Sequence, residues 1–197
     1  MLAIAGGKGG SGKTTTTLGL ARAFDGHVLA VDADRDMPNL GSMAGLDPRA
    51  GQTDEPHTHP NDATVSVRSP PAGVDDDGFE RWLRGVADDA RRAVVDCPAG
   101  AGPDAAIPLR VADAVVVVTQ LCAPALRDAA KTAAMARALG THVTGCVVSR
   151  ARVAPASVGE LVDAPVLGTV PDEASPVLAQ PTVRTAYRRI SDNLGRY

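Results

Sequence analysis

A chain of 197 residues is long enough for one substantial core and short for two, so a single domain spanning 1–197 is expected. Hydrophobic residues make up 44% but aromatics only 3%, so the core must be built from Val, Ala, Leu and Ile, which suits buried parallel strands covered by small-residue helices. The formal charge of −3 argues against a basic nucleic-acid binder, and the odd, widely spaced Cys97, Cys122 and Cys146 argue against a disulfide framework or a CxxC metal site; buried, reduced thiols are expected.

Short apolar runs recur along the chain: "MLAIAGG", "HVLAVDAD", "TVSVRS", "RRAVVDCPAG", "AVVVVTQ", "HVTGCVVS" and "PVLGTV". Runs of this length without alternation read as strands buried on both faces. Between them, helices are expected over 14–24, 79–91, 125–139 and 182–194, giving a doubly wound, mostly parallel α/β sheet with helices on both faces. Residues 49–78 break the rhythm with Pro, Gly, Asp and His around one short strand, and read as surface loops. Within them, His57 and His59 lack companion ligands and the run Asp75-Asp76-Asp77 reads as a solvated turn. No apolar run approaches the roughly 18 residues of a membrane helix, and no long apolar leader precedes the first glycines. A cytoplasmic protein is expected, with a place at the periphery of membrane or nucleoid left open.

The first glycines carry the chemistry. "GGKGGSGKTTTT" places Gly7, Gly12, Lys13 and Thr14 in the spacing G-x-x-x-x-G-K-[ST], after a strand and before a helix. Gly9, Gly10 and Gly12 let the backbone wrap around phosphates, and the following helix aims its N-terminal N–H groups at them. Lys13 would neutralise the β and γ phosphates, the Thr14 hydroxyl would coordinate Mg²⁺, and Thr15 would bond the α phosphate. With Ser11, the whole run Gly7 to Thr15 is the candidate site for ATP.

Lys8 is not required by that spacing. Its placement in "KGGSGKT" resembles the deviant Walker A loop of the MinD/ParA family of P-loop ATPases, to which nitrogenase iron protein also belongs, and most of all the archaeal-type MinD-like branch. The resemblance implies a P-loop NTPase fold, a homodimer formed around ATP, and a Lys8 that reaches the partner's phosphates. "VDADRDMPNLGSMAGLDP" resembles the family's switch I, which implies Asp34 as the residue that positions and activates water and Asp32 in the outer shell of Mg²⁺. "AVVDCPAG" resembles Walker B and switch II, which implies Asp96 holding a water of the Mg²⁺ shell. "VVSRAR" and "VLGTVPDEASPVLA" resemble the segments bordering the adenine ring, with Arg150 and Pro171 flanking the base and Ser149 standing where relatives carry Asn. Arg127 and Asp128 open a helix as a similar pair does in the MinD branch, either as dimer or partner contacts or as a surface capping pair.

By resemblance the chain is a Mg²⁺-dependent ATPase and a nucleotide-controlled regulator of where a partner is placed, in cell division or a related task. A slow turnover that an unidentified protein activator accelerates is implied. Three other readings stay open from the residues: a ParA-like partitioning ATPase, a nucleotide-gated scaffold with little hydrolysis, and a ligase resembling dethiobiotin synthetase. DNA contact through Arg91, Arg92 and the later arginines is not favoured over a solvated face. A stable membrane anchor is not expected, because the Lys- and Phe-rich tail of bacterial MinD proteins has no counterpart here; Val183, Ala186, Tyr187, Ile190 and Leu194 read as the packing stripe of a helix on the sheet.

Overall fold

The structure is a computed structural model that describes residues 1–7, 9–47 and 54–195. In chain order its elements are β1 (Leu2–Ala5), α1 (Lys13–Ala21), β2 (Val28–Asp32), α2 (Leu40–Met43), β3 (His57–His59), β4 (Asp62–Arg68), α3 (Asp76–Asp89), β5 (Ala93–Asp96), α4 (Pro103–Val111), β6 (Ala114–Thr119), α5 (Ala123–Ala138), β7 (His142–Ser149), α6 (Ser157–Val162), β8 (Val166–Val170) and α7 (Pro181–Leu194). One eight-stranded sheet runs in the order β3-β4-β2-β5-β1-β6-β7-β8, and every pairing except β3 with β4 is parallel.

Both faces of the sheet are covered, as the unbroken apolar strands require. Leu2 and Ile4 of β1 face a core shared with α1 and α7, which supply Leu18, Leu20, Val183, Tyr187 and Ile190. Ala3 and Ala5, one residue out of phase, face a second core closed by Leu109 of α4 and Ala129 and Ala133 of α5. A third cluster holds Leu29 and Val31 of β2 against Phe79, Leu83 and Val86 of α3. The stripe expected on α7 therefore packs on the sheet, with Val183, Tyr187, Ile190 and Leu194 buried.

Of the stretch 49–78 expected to be loops, residues 49–53 lie outside the described residues, and the rest departs from that expectation in two places. His57–His59 forms a third strand, antiparallel to β4, and Asp75 caps α3 by accepting a hydrogen bond from the Gly78 N–H at 2.8 Å. Asp76 and Asp77 then lie in the first helical turn, where the helix dipole favours negative charge, so the acidic run is a helix start and not a free turn. His59 is buried, its Nδ1 accepting the Asn61 N–H. Among the described residues no group of three or more His, Cys, Asp or Glu side chains is placed to hold a metal by itself. Cys97 and Cys146 are buried, as expected, and Cys122 is exposed, because it stands just ahead of α5 on the loop that leaves β6.

Helix α1 is fixed to α7 by one close approach. A Cβ on Gly19 would lie 2.3 Å from the ring of Tyr187, which is buried and whose hydroxyl is 3.2 Å from the Thr16 hydroxyl. In an open helix Gly→Ala gains about 1 kcal/mol. Here the sign should reverse: Gly19→Ala is expected to destabilise by about 1–3 kcal/mol through overpacking, read as a lower midpoint in urea with unchanged slope.

Candidate functional site

The site lies at the C-terminal end of the central strands, where open parallel sheets place their ligands. β1 ends at Ala5 between β5 and β6, and the loop from Gly6 to Gly12 leads into α1. Gly10 and Gly12 have φ of 76° and 96°, left-handed values that the tight loop imposes and that glycine adopts without strain. A Cβ on Gly9 or Gly10 would meet nothing within 4 Å, so this side of the loop is open. Lys8 lies outside the described residues.

Three neighbours brace the loop from behind. Gln120 Nε2 donates to the Gly10 carbonyl at 2.9 Å, Ser149 Oγ to the Ser11 carbonyl at 2.6 Å, and the Gly100 N–H to the Gly6 carbonyl at 3.1 Å. A Cβ on Gly7 would lie 2.2 Å from the Asp128 Cβ, so the first turns of α5 press directly on the loop. Asp128 thus has a packing role against the loop, while Arg127 beside it is exposed. None of Gln120, Asp128 or Gly100 stands out in the sequence as part of this loop, since Gln120 reaches it from the end of β6, Asp128 from within α5 and Gly100 from the segment after β5.

Lys13 opens α1 and is buried, and Ser11 is buried with its Oγ the sole buried side-chain N or O atom without a partner among the described residues. A buried orphan hydroxyl costs free energy unless something satisfies it. Open glycine backbone, an unpaired hydroxyl and a lysine whose stem is packed at the helix start together fit the oxygens of a polyphosphate.

Asp32 and Asp96 are paired across β2 and β5 in register, so both carboxylates arrive at the same end of the sheet, and both are buried. Asp32 Oδ2 accepts the Leu40 N–H at 2.9 Å and its Oδ1 the Asp34 N–H at 3.1 Å. Asp96 accepts a hydrogen bond from the Thr14 side chain, and Thr17 Oγ1 stands 3.4 Å from its Oδ1. Thr17 is one helical turn beyond Lys13, a position the Walker pattern does not mark. With Thr14 bonded to Asp96 and no all-protein ligand cage among the described residues, the set is of the kind that would suit a Mg²⁺ completed by phosphate oxygens and waters, for which Thr14 would supply a ligand and Asp32 and Asp96 would hold waters. Asp34 is half-buried on the loop beyond β2, and its Oδ1 accepts the Met37 N–H at 3.0 Å.

Burial pushes the Asp96 carboxyl up to about 7, reinforced by the charge of Asp32 and opposed by the Thr14 hydrogen bond and Lys13. Burial likewise lifts Asp32 to about 6, helped by the charge of Asp34 and opposed by the backbone N–H groups of Leu40, Asp34 and Asn39. A carboxyl raised above its unfolded value holds its proton more tightly when folded, so folded stability from this pair is full at low pH and is lost as pH rises through about 4 to 7. The ligand-free protein is expected to melt at lower temperature at about pH 8 than at about pH 5, by up to ~1.4 kcal/mol per pH unit for each proton lost inside that window. Asp96→Asn should flatten the profile, and added Mg²⁺ with nucleotide should do the same by favouring the charged forms; differential scanning fluorimetry across pH reads both.

On the far side of the loop, Arg150 and Pro171 border one cavity of about 220 Å³ together with Gly12, Thr15 and Ser149. Arg150 adopts φ 53° and its side chain is 3.9 Å from Asp172. The hydroxyl of Ser149 is engaged with backbone carbonyls, of Ser11 at 2.6 Å and of Thr119 at 3.2 Å, so it supports the loop and does not point an amide at a base.

The chain is similar to known proteins in both sequence and fold. A family profile described as CbiA, the CobQ/CobB/MinD/ParA nucleotide binding domain, matches residues 2–176. An uncharacterized ATP-binding protein of Methanocaldococcus jannaschii is 32% identical over 196 residues, covering 87% of this chain and 74% of that protein. A putative septum site-determining protein MinD of Chlorella vulgaris is 27% identical, covering 91% and 74% respectively. The fold is that of the septum site-determining protein MinD of Pyrococcus horikoshii, solved with Mg-ADP, at a TM-score of 0.83 and 20% identity over 99% of this chain and 95% of that one. With a glycine loop, two paired buried carboxylates and this match over most of its length, the chain belongs to the CobQ/CobB/MinD/ParA family of nucleotide-binding domains.

Proposed function

We propose that this protein is a Mg²⁺-dependent ATPase that dimerises around ATP and uses its nucleotide state to control the placement of a protein partner. The observation that carries the reading is the convergence, at one sheet end, of the braced loop with buried Lys13, the in-register pair Asp32 and Asp96, and the accessible Asp34. Bound Mg²⁺ would offset charge on the β and γ phosphates. Lys13 would hold the same oxygens, Thr14 and the two buried carboxylates would fix the ion's shell, and Asp34 would orient the attacking water; catalysis is then positioning and charge stabilisation. Arg150 and Pro171 would flank the base in the cavity beside Thr15.

A dimer is supported by what the same sheet end exposes. The open side of the loop at Gly9 and Gly10 faces outward, and the large apolar side chains of Met37 and Leu121, on the loops after β2 and β6, are 73% and 44% exposed. Lys8, between Gly7 and Gly9, would be donated to the partner's phosphates. Light scattering after size exclusion should show dimers of the wild type in ATP and monomers in ADP or without nucleotide, while Lys8→Ala stays monomeric in all three and does not hydrolyse. A Lys8→Ala variant that hydrolyses ATP normally as a monomer would rule out the shared-lysine mechanism. Phosphate release no greater than that of Lys13→Ala, with candidate partners present, would favour a nucleotide-gated scaffold instead. Among the described residues no helix is long and apolar enough to cross a membrane.

A further inference from the structure

Arg35 follows Asp34 directly, yet its side chain turns away from the phosphate end and joins three separate elements. The guanidinium lies over the Phe79 ring at 4.8 Å from the centroid, donates to the Val74 carbonyl at 3.1 Å and pairs with the Asp76 carboxylate in the first turn of α3. It also stands 3.9 Å from Asp104, in the first turn of α4, the helix that follows Asp96 and the Pro-Ala-Gly segment. The side chain is 23% exposed, and Phe79 beneath it is fully buried. Arg35 and Asp34 both border a cavity of about 490 Å³ whose other wall is the loop 69–74.

The rest of the loop carrying Asp34 is held lightly. Its backbone is fixed near the two ends, by the Ala33 N–H on the Asp96 carbonyl at 3.0 Å and by the Asp34, Asn39 and Leu40 N–H groups on Asp32, and between them by the Asp34–Met37 turn alone, with Asp36, Met37 and Pro38 exposed. Arg35 therefore supplies a side-chain tether of this loop to the first turns of α3 and α4, through a planar group that stacks and forks at once; a lysine would keep the charge toward Asp76 and Asp104 and so reproduce it only in part.

We propose that Arg35 is a positioning residue for hydrolysis: it clamps the loop carrying Asp34 to the first turns of α3 and α4, and so couples that loop to the segment following Asp96. The inference rests on the ATPase reading above. Its effect runs through Asp34, so it should appear in turnover and not in nucleotide affinity. The test compares kcat and the dissociation constant of a fluorescent ATP analogue in wild type, Arg35→Ala, Arg35→Lys and Lys13→Ala, with thermal melts on each. Arg35→Ala is expected to lose about tenfold or more in kcat, with affinity within about twofold of wild type and part of the turnover recovered in Arg35→Lys. A folded Arg35→Ala with a smaller loss of kcat, a loss matched by affinity, or no recovery in Arg35→Lys overturns the proposal. If Arg35→Ala does not fold, Arg35→Lys alone decides, at a threshold of about threefold in kcat with affinity unchanged. Wild-type turnover no higher than that of Lys13→Ala would overturn the ATPase reading itself and this inference with it, an outcome distinct from an active wild type that ignores Arg35.

Discussion

Lys13→Ala is expected to weaken ATP binding by at least about a hundredfold, on the order of 3 kcal/mol, and to abolish hydrolysis. Lys13 is only 8% exposed at the start of α1, and a Cβ on Gly6 would already meet its Cγ at 3.2 Å, so the stem is packed and the ammonium has little freedom to move. A cation held that way acts in a low-dielectric setting and loses little on engaging phosphate. The alanine variant would leave a polyphosphate facing backbone N–H groups and the hydroxyls of the loop, with no lysine charge from this position. The cleanest measurement is ligand-induced stabilisation: nucleotide with Mg²⁺ should raise the melting temperature of the wild type in proportion to ln(1 + [L]/Kd) and leave Lys13→Ala unshifted at the same concentration. Lys13→Arg should also fail, because a broader planar guanidinium would have to be carried where the Lys13 stem is already packed beside Gly6. Tight binding by Lys13→Ala would mean that the loop does not hold nucleotide through this residue.

How far such expectations are legible in the sequence depends on where the signal is written. The strands of the inner sheet announce themselves, since "AVVVVT" and "VLAVD" are buried on both faces and leave no polar phase to misread. β3 does not, because "HTH" carries no apolar signal and becomes a strand only by lying against β4. α4 is hidden by its own composition: Pro103 and Pro108 read as breaks, yet Pro103 occupies the first helical turn, where a missing N–H costs nothing, and the helix is held by burying Ala105, Ile107 and Leu109. α6, only six residues, is too short for a periodic pattern to register.

The candidate site divides the same way. Lys13, Thr14, Asp32, Asp34 and Asp96 are visible because phosphate and metal chemistry demands those residue types at the ends of strands, and the structure brings Thr14, Asp32 and Asp96 to one place. The supports are invisible. Gln120 reaches Gly10 across 110 residues and Ser149 reaches Ser11 across 138, and no local spacing links such pairs. Ser149 also shows how a departure from a family pattern acquires meaning only in three dimensions: a serine in place of an amide removes a base contact, but its hydroxyl is used to brace the phosphate loop.

Asp34→Ala is expected to reduce ATP turnover by about a hundredfold or more while leaving nucleotide affinity within about threefold of wild type. The two aspartates of "DAD" sit in opposed environments. Asp32 is buried, takes the backbone N–H groups of Asp34, Asn39 and Leu40 and is lifted to about 6 by burial, so it fixes the loop and, on the proposed reading, would order the metal's water shell. Asp34 is half-exposed and accepts one N–H from Met37, which leaves its carboxylate with lone pairs available for a water. On the proposed reading, removing Asp34 would take away an interaction needed only as the water attacks, whereas removing Asp32 would disturb the loop that Asp34 stands on. The consequence for assembly separates this residue from Lys8. If hydrolysis is what dissolves the ATP dimer, Asp34→Ala should accumulate as dimer in ATP, while Lys8→Ala should fail to form it. Light scattering on both variants, alongside phosphate release, tests the pair: an Asp34→Ala protein that turns over ATP at the wild-type rate, or binds it no better than Lys13→Ala, would remove Asp34 from the water-positioning role and leave its carboxylate as the cap of the Met37 turn.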